Sequence, residues 1–132
     1  MNQIVANVTR IDTIDNLNIV EFEFQTTKLK MMSLDLSNIT VGQKVVLSVK
    51  PTHIAVAKEL SGMLSYSNQL ITTISKIEMG ELLCTISTEI FSIPLQSIIT
   101  ADSAKRMNLQ LNDEITLLIK ASDLSILDVY HD

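Results

Sequence analysis

The sequence predicts an all-β protein built as two tandem five-stranded barrels. Three features of its 132 residues carry that expectation: a β-branched aliphatic complement, alternation of apolar and polar residues, and an internal repeat. Apolar residues make up 46% of the chain and aromatics only 4%, with no Trp, so a core must be assembled from Ile, Leu, Val and Met. Ile and Val favour strands, because a side chain branched at Cβ is stiff at χ1 and packs well on a pleated surface. With 19% charged residues the chain also carries more apolar material than a disordered segment.

Ile4, Ala6 and Val8 alternate with polar neighbours, as do Val20, Phe22 and Phe24, and then Ile54 and Val56. Such alternation places one set of side chains on one face of a strand. The short runs VVLSV (45–49) and ITLLI (115–119) are mostly apolar and rich in β-branched residues and suit strands buried on more than one side. One stretch argues for a helix. Asp102 to Met107, preceded by Thr100 as a cap and followed by Asn108, combines good helix formers with cations near its end and predicts one or two turns.

The repeat sets the organisation. NQIVANVTRI, Asn2 to Ile11, aligns without a gap on NQLITTISKI, Asn68 to Ile77, at an offset of 66. Downstream, Val41 to Val56 aligns on Leu111 to Ile126 at an offset of 70, which pairs Lys50 with Lys120. The four extra residues of the second copy fall around ITADSAKRM. The segment KELSGMLSYS, Lys58 to Ser67, reads as a linker. Residues 1–60 and 64–132 are thus two repeats of about 60 residues, each an OB-like barrel that buries its sheet edges by closure, with a short helix in the second. Barrels this small have thin cores, so packing of the copies on each other and formation of a homo-oligomer are both expected.

The net charge of −5 provides no broad positive field for nucleic acid or an anionic membrane surface. The only aromatics, Phe22, Phe24, Phe91, Tyr66 and Tyr130, are too few for a single-strand-binding platform in a basic groove. Neither nucleic acid nor membrane is expected as a partner. Cys84 is the single cysteine, in the apolar run LLCTI, and reads as a small buried hydrophobe in a reducing compartment. The segment MNQIVANVTRID lacks the basic flank and apolar run of a signal peptide, and no apolar stretch approaches the roughly 20 residues needed to cross a bilayer, so the expected location is cytoplasmic.

Four ordered blocks of the second copy resemble the Mop family of molybdate-binding domains, also called TOBE or molbindin. They are S-x-S-N-Q-L (Ser65 to Leu70), I-T-A-D-S-A (Ile99 to Ala104), L-x-L-N-D-E-I (Leu109 to Ile115) and I-K-A-S-D-L (Ile119 to Leu124). The first copy repeats them more loosely, so the whole chain looks like a double-Mop arrangement. The resemblance implies a bound tetrahedral dianion, molybdate or tungstate, held between domains by hydroxyls, backbone N–H groups and a lysine. It also implies a homo-oligomer with sites between chains, a trimer first, and a role in storage, buffering or sensing.

The residues fit that chemistry, since an oxyanion leaving water needs several donors, and charge-assisted hydrogen bonds are roughly twice as strong as neutral ones. Candidate ligands are Ser65, Ser67 and Asn68 before and at the start of a strand, Thr100 and Ser103 where the helix begins, and Lys120, Ala121 and Ser122 after a buried strand. Asn2, Lys50 and Thr52 are their weaker counterparts in the first copy. Thr100 and Ser103 serve equally as helix caps, Lys50 and Lys120 as solvated strand-end lysines, and Asn2 and Asn68 as residues bonded to local backbone.

Departures from the family pattern matter as well. Ser67 stands where the family carries an arginine, and Met1 occupies the equivalent place in the first copy. The first copy has MMSLDLSNITVG in place of the I-T-x-x-S-A element, and Pro51 removes a backbone donor. The second copy should therefore supply most of any site. The alternative reading is a degenerate Mop pair that keeps the barrels as an interaction or regulatory module without an oxyanion.

No enzyme is expected. His53 reads as a strand-edge residue, His131 as part of a terminal tail, and neither suits a catalytic triad or direct metal coordination. Gly42, Gly62 and Gly80 belong to no phosphate-cradling loop. Met31 and Met32 are expected to fill a core gap on one side and face the surface on the other.

Overall fold

The structure is a computed structural model that describes residues 2–36 and 38–130, so His131 lies outside the described residues. Ten strands run in the order β1 (Asn2–Ile14), β2 (Leu17–Phe24), β3 (Thr27–Ser33), β4 (Lys44–Val49), β5 (Ala55–Ala57), β6 (Asn68–Met79), β7 (Leu83–Ile90), β8 (Ile93–Thr100), β9 (Glu114–Ile119) and β10 (Ser125–Val129). One helix, α1 (Ala101–Arg106), follows β8, and 3-10 turns at Pro51–His53 and Ala121–Asp123 follow β4 and β9.

The repeat read in the sequence reappears as a repeat of structure. The buried and exposed positions of β2 match those of β7 one for one, as do those of β4 and β9. Even the irregularities are duplicated. A bulge lies between Val8 and Arg10 in β1 and between Ile74 and Lys76 in β6. The hydroxyl of each extra residue bonds across to the neighbouring strand, Thr9 to the Glu21 carbonyl at 3.2 Å and Ser75 to the Ser87 carbonyl at 3.0 Å. Each bulge bends a long strand so that its first part pairs with one neighbour and its second part with another, which curls the sheet. The four extra residues of the second copy are accounted for by α1, where the described residues of the first copy, 34–36 and 38–43, contain no helix.

Each sheet takes its fifth strand from the other half of the chain. The two strand orders are β10-β4-β1-β2-β3 and β5-β9-β6-β7-β8. β5, from the first half, pairs antiparallel with β9 through Ala55↔Leu118, Val56↔Leu117 and Ala57↔Thr116. β10, from the second half, pairs with β4 from Ser125↔Ser48 to Val129↔Val45. The linker therefore joins two sheets that are already stitched together.

The core follows from the alternation. Ile4, Val20, Phe22, Leu47, Ile74, Ile86, Leu95, Leu117 and Ile119 are fully enclosed in one cluster that spans both halves. Each such side chain contributes roughly 1.5–3 kcal/mol by leaving water. Cys84 is buried in the same cluster, and burial pushes its thiol pKa up, which keeps the sulfur protonated and unreactive. Met31 is buried while Met32 is exposed, as expected of adjacent residues on a strand. Phe91 of the β7–β8 turn meets Phe24 of the first half edge-on, with ring centroids 5.4 Å apart.

The linker is tied down at its start. The Lys58 ammonium lies 3.0 Å from Asp113 and donates to the Asn108 carbonyl at 2.8 Å. The hydrogen bond from Lys58, with one from the Gln110 amide, holds the Asp113 carboxyl below its ordinary pKa. The stabilisation this gives is present above the usual aspartate range and is lost as the pH falls through the lowered value. Among the described residues, no helix is long and apolar enough to cross a membrane.

Candidate functional site

The repeat creates two equivalent hollows, and only one of them, the donor-rich hollow, joins hydroxyls to a lysine. The first, about 400 Å³, is walled by Thr52 to Ala55 from the first half and by Tyr66, Ile98, Ile99, Thr100, Ser103, Lys120 and Asp123 from the second. It forms because β5 crosses over to β9 and carries the preceding 3-10 turn with it against β8. Four residues singled out from the sequence, Thr52, Thr100, Ser103 and Lys120, meet here.

Local structure positions the hydroxyls. Thr100 caps α1, its Oγ1 accepting from the Ser103 amide at 3.1 Å and donating to Ser103 Oγ at 2.9 Å. Arg106, one turn on, donates from Nη2 to the same Ser103 Oγ at 3.3 Å. A guanidinium thus stands at the edge of this hollow, although the family's arginine position is occupied by Ser67. Sequence reasoning missed Arg106, and the signal was its spacing of three residues from Ser103 on a short helix. Thr100 and Lys120 are exposed and Ser103 half-buried, so hydroxyls and ammonium can turn toward a ligand.

The equivalent hollow, about 450 Å³, is lined by Met31, Met32, Ser33, Leu34, Asp35, Leu36, Ser122, Leu124, Ser125 and Ile126. Leu34 occupies the place of Thr100, and no lysine stands among the described residues that line this hollow. This hollow sets the hydroxyls of Ser33, Ser122 and Ser125 beside the Asp35 carboxylate with no cation, where the other adds an ammonium to its hydroxyls. Between them lies a third hollow of about 380 Å³, lined in part by Lys50, His53, Ser122 and Asp123.

Ser65 and Ser67 are exposed on either side of Tyr66 and do not line the donor-rich hollow, and Ala121 and Ser122 open the second 3-10 turn. Asn68 is completely buried, and its side chain bonds both ways to the backbone of Lys30, accepting at 2.7 Å and donating at 2.9 Å. Asn2 does the same to Gln96 at 2.8 Å in both directions. These contacts are counterparts in the repeat, each joining the first strand of one half to the third strand of the other. The partners are remote backbone, where the sequence suggested local backbone.

His53 ends the first 3-10 turn and does not sit on a strand edge. Its Nδ1 lies 3.7 Å from Asp123 Oδ1, and the two residues occupy equivalent positions in the two copies. Both were overlooked as site residues because nothing local in the sequence connects them. Among the described residues there is no group of three or more His, Cys, Asp or Glu placed to hold a metal ion.

Comparison with known proteins adds three findings. A model of the TOBE domain matches residues 64–126. No curated protein matches the sequence. Among solved structures, the cytoplasmic molybdate-binding protein ModG, in a PEG-grown form with molybdate bound, is similar over 95% of this chain and 94% of that one, with a TM-score of 0.85 at 21% identity. At that identity the likeness establishes a shared fold across both halves.

Proposed function

The chain belongs to the TOBE family through residues 64–126, and from that premise we propose that it is a non-enzymatic, cytoplasmic binder of tetrahedral oxyanions, molybdate or tungstate, serving storage, buffering or sensing. The observation that carries this reading is the convergence of Thr52, Thr100, Ser103 and Lys120 on one hollow. Hydroxyls and an ammonium group supply donors and no competing acceptor lone pairs at the ammonium, which suits a fully deprotonated dianion. Arg106 supplies further positive charge through Ser103. The molybdate bound by ModG supports the choice of anion.

Isothermal titration with molybdate, with sulfate as control, tests the proposal. Saturable heat is expected with about one site per chain, because the equivalent hollow has a carboxylate and no lysine. Lys120→Ala is expected to weaken binding by about 10- to 100-fold, the usual worth of a hydrogen bond to a charged group. Absence of heat with molybdate sinks the reading.

The donor-rich hollow is open to solvent, and Ser65 and Ser67 are exposed nearby, which fits completion of the site by another copy in a closed homo-oligomer, a trimer first. Light scattering with and without molybdate is expected to show one discrete assembly that the anion stabilises; a monomer under both conditions refutes the assembly. A second reading, an interaction or regulatory module without an oxyanion, is favoured by the equivalent hollow, which has no lysine and where Leu34 is 71% exposed. It predicts indifference to molybdate and tungstate.

A further inference from the structure

We propose that the His53–Asp123 pair sets the charge of the donor-rich hollow, so that affinity for a dianion rises as the pH falls through the imidazole titration; this rests on the oxyanion reading above. The duplication puts the pair together, since the two positions are equivalent and face each other where the two halves meet. Both side chains line the donor-rich hollow as well as the central one. One position carries a base that gains a positive charge, and the other a fixed negative charge at neutral pH.

The titratable residues lining these two hollows, among the described residues, are Lys50, His53, Tyr66, Lys120 and Asp123. In the donor-rich hollow Lys120 and Asp123 cancel formally, so with a neutral imidazole the arriving dianion meets a carboxylate and no net positive charge. Lys50 lines the central hollow only, and Arg106 acts from outside through the Ser103 hydroxyl. When His53 takes up a proton it lies at ion-pair distance from Asp123, masks that carboxylate and leaves the hollow net positive.

Within this set only the imidazole changes charge near neutrality, where a lysine stays protonated, a phenol neutral and a carboxylate ionised. Binding of a dianion and protonation of His53 therefore favour each other. By linkage the anion raises the histidine's affinity for a proton by the same factor that the proton raises its affinity for the anion. Couplings between two groups bound at one site typically change affinity by about 5- to 150-fold, which sets the expected effect at about tenfold.

The test is titration of the full chain with molybdate, a dianion throughout, at about pH 6 and about pH 8. The wild type is expected to bind about tenfold more tightly at the lower pH and to take up protons on binding, counted from heats in two buffers of different ionisation enthalpy. His53→Gln is expected to bind with one weak affinity at both pH values. Asp123→Asn is expected to bind more tightly than wild type at about pH 8, because the repelling carboxylate is gone. Thermal melts of both variants establish that each is folded. Equal wild-type affinity at both pH values, or an unchanged pH dependence in His53→Gln, overturns this inference while leaving the oxyanion site standing. No binding by wild type or Asp123→Asn at either pH overturns the oxyanion reading and this inference with it.

Discussion

Replacing Asn68 by alanine is expected to lower stability by about 2–4 kcal/mol, seen as a fall in melting temperature of roughly 10 °C. The side chain is fully enclosed and spends its carboxamide on both backbone groups of Lys30. Alanine removes two hydrogen bonds and leaves an N–H and a C=O facing a small cavity, and each unsatisfied buried group costs about 1–3 kcal/mol. Because Lys30 is on β3 of the first half and Asn68 begins β6 of the second, the loss loosens the junction between halves. Asn2→Ala should act in the same direction through Gln96. Gln69→Ala, next in the chain but exposed, is the control and should stay within about 0.5 kcal/mol. The same melts assign the role of Asn68. A variant that keeps its melting temperature but loses molybdate would return Asn68 to the ligands.

Truncation after Asp123 is expected to open the sheet of the first half, although every deleted residue belongs to the second. The deletion removes Leu124, which is buried in the shared core, and β10, which is hydrogen-bonded to β4. Loss of the Leu124 side chain alone costs about 2–5 kcal/mol by the measure of large-to-small core substitutions, a large share of the 5–15 kcal/mol that holds an ordinary domain together. Hydrogen exchange read by mass spectrometry should show protection lost first across Lys44–Val49, with Glu114–Ile119 retaining it, because β9 is still flanked by β5 and β6. Early loss across β9 instead would contradict the exchange of fifth strands.

Much of the molecule is legible in the sequence because its determinants are local or duplicated. Period-two alternation placed Ile4, Ala6, Val8, Val20, Phe22 and Phe24 in the core, where all are buried. The change of offset from 66 to 70 located the insertion that is α1, and Thr100 caps it. The hydroxyls and lysine that converge on the donor-rich hollow were also readable, since a cap residue and a strand-end lysine have fixed places relative to their own elements.

Tertiary structure decided what depends on which copy of a duplicated element meets which. Ladder hydrogen bonds run between backbone groups, so β4 can pair as well with β5 as with its repeat counterpart β10, and alternation is silent on the choice. The same indifference hides the partners of Asn2 and Asn68, because a carboxamide pairs with any backbone N–H and C=O, here 94 and 38 residues away. It hides the meeting of His53 with Asp123 too, because only the exchange of strands brings the two equivalent turns face to face. What the sequence determined by itself was the kind of strand, the repeat and the chemistry of the donors. Which halves complete each other was left to packing, where one shared core buries more apolar surface than two thin barrels could.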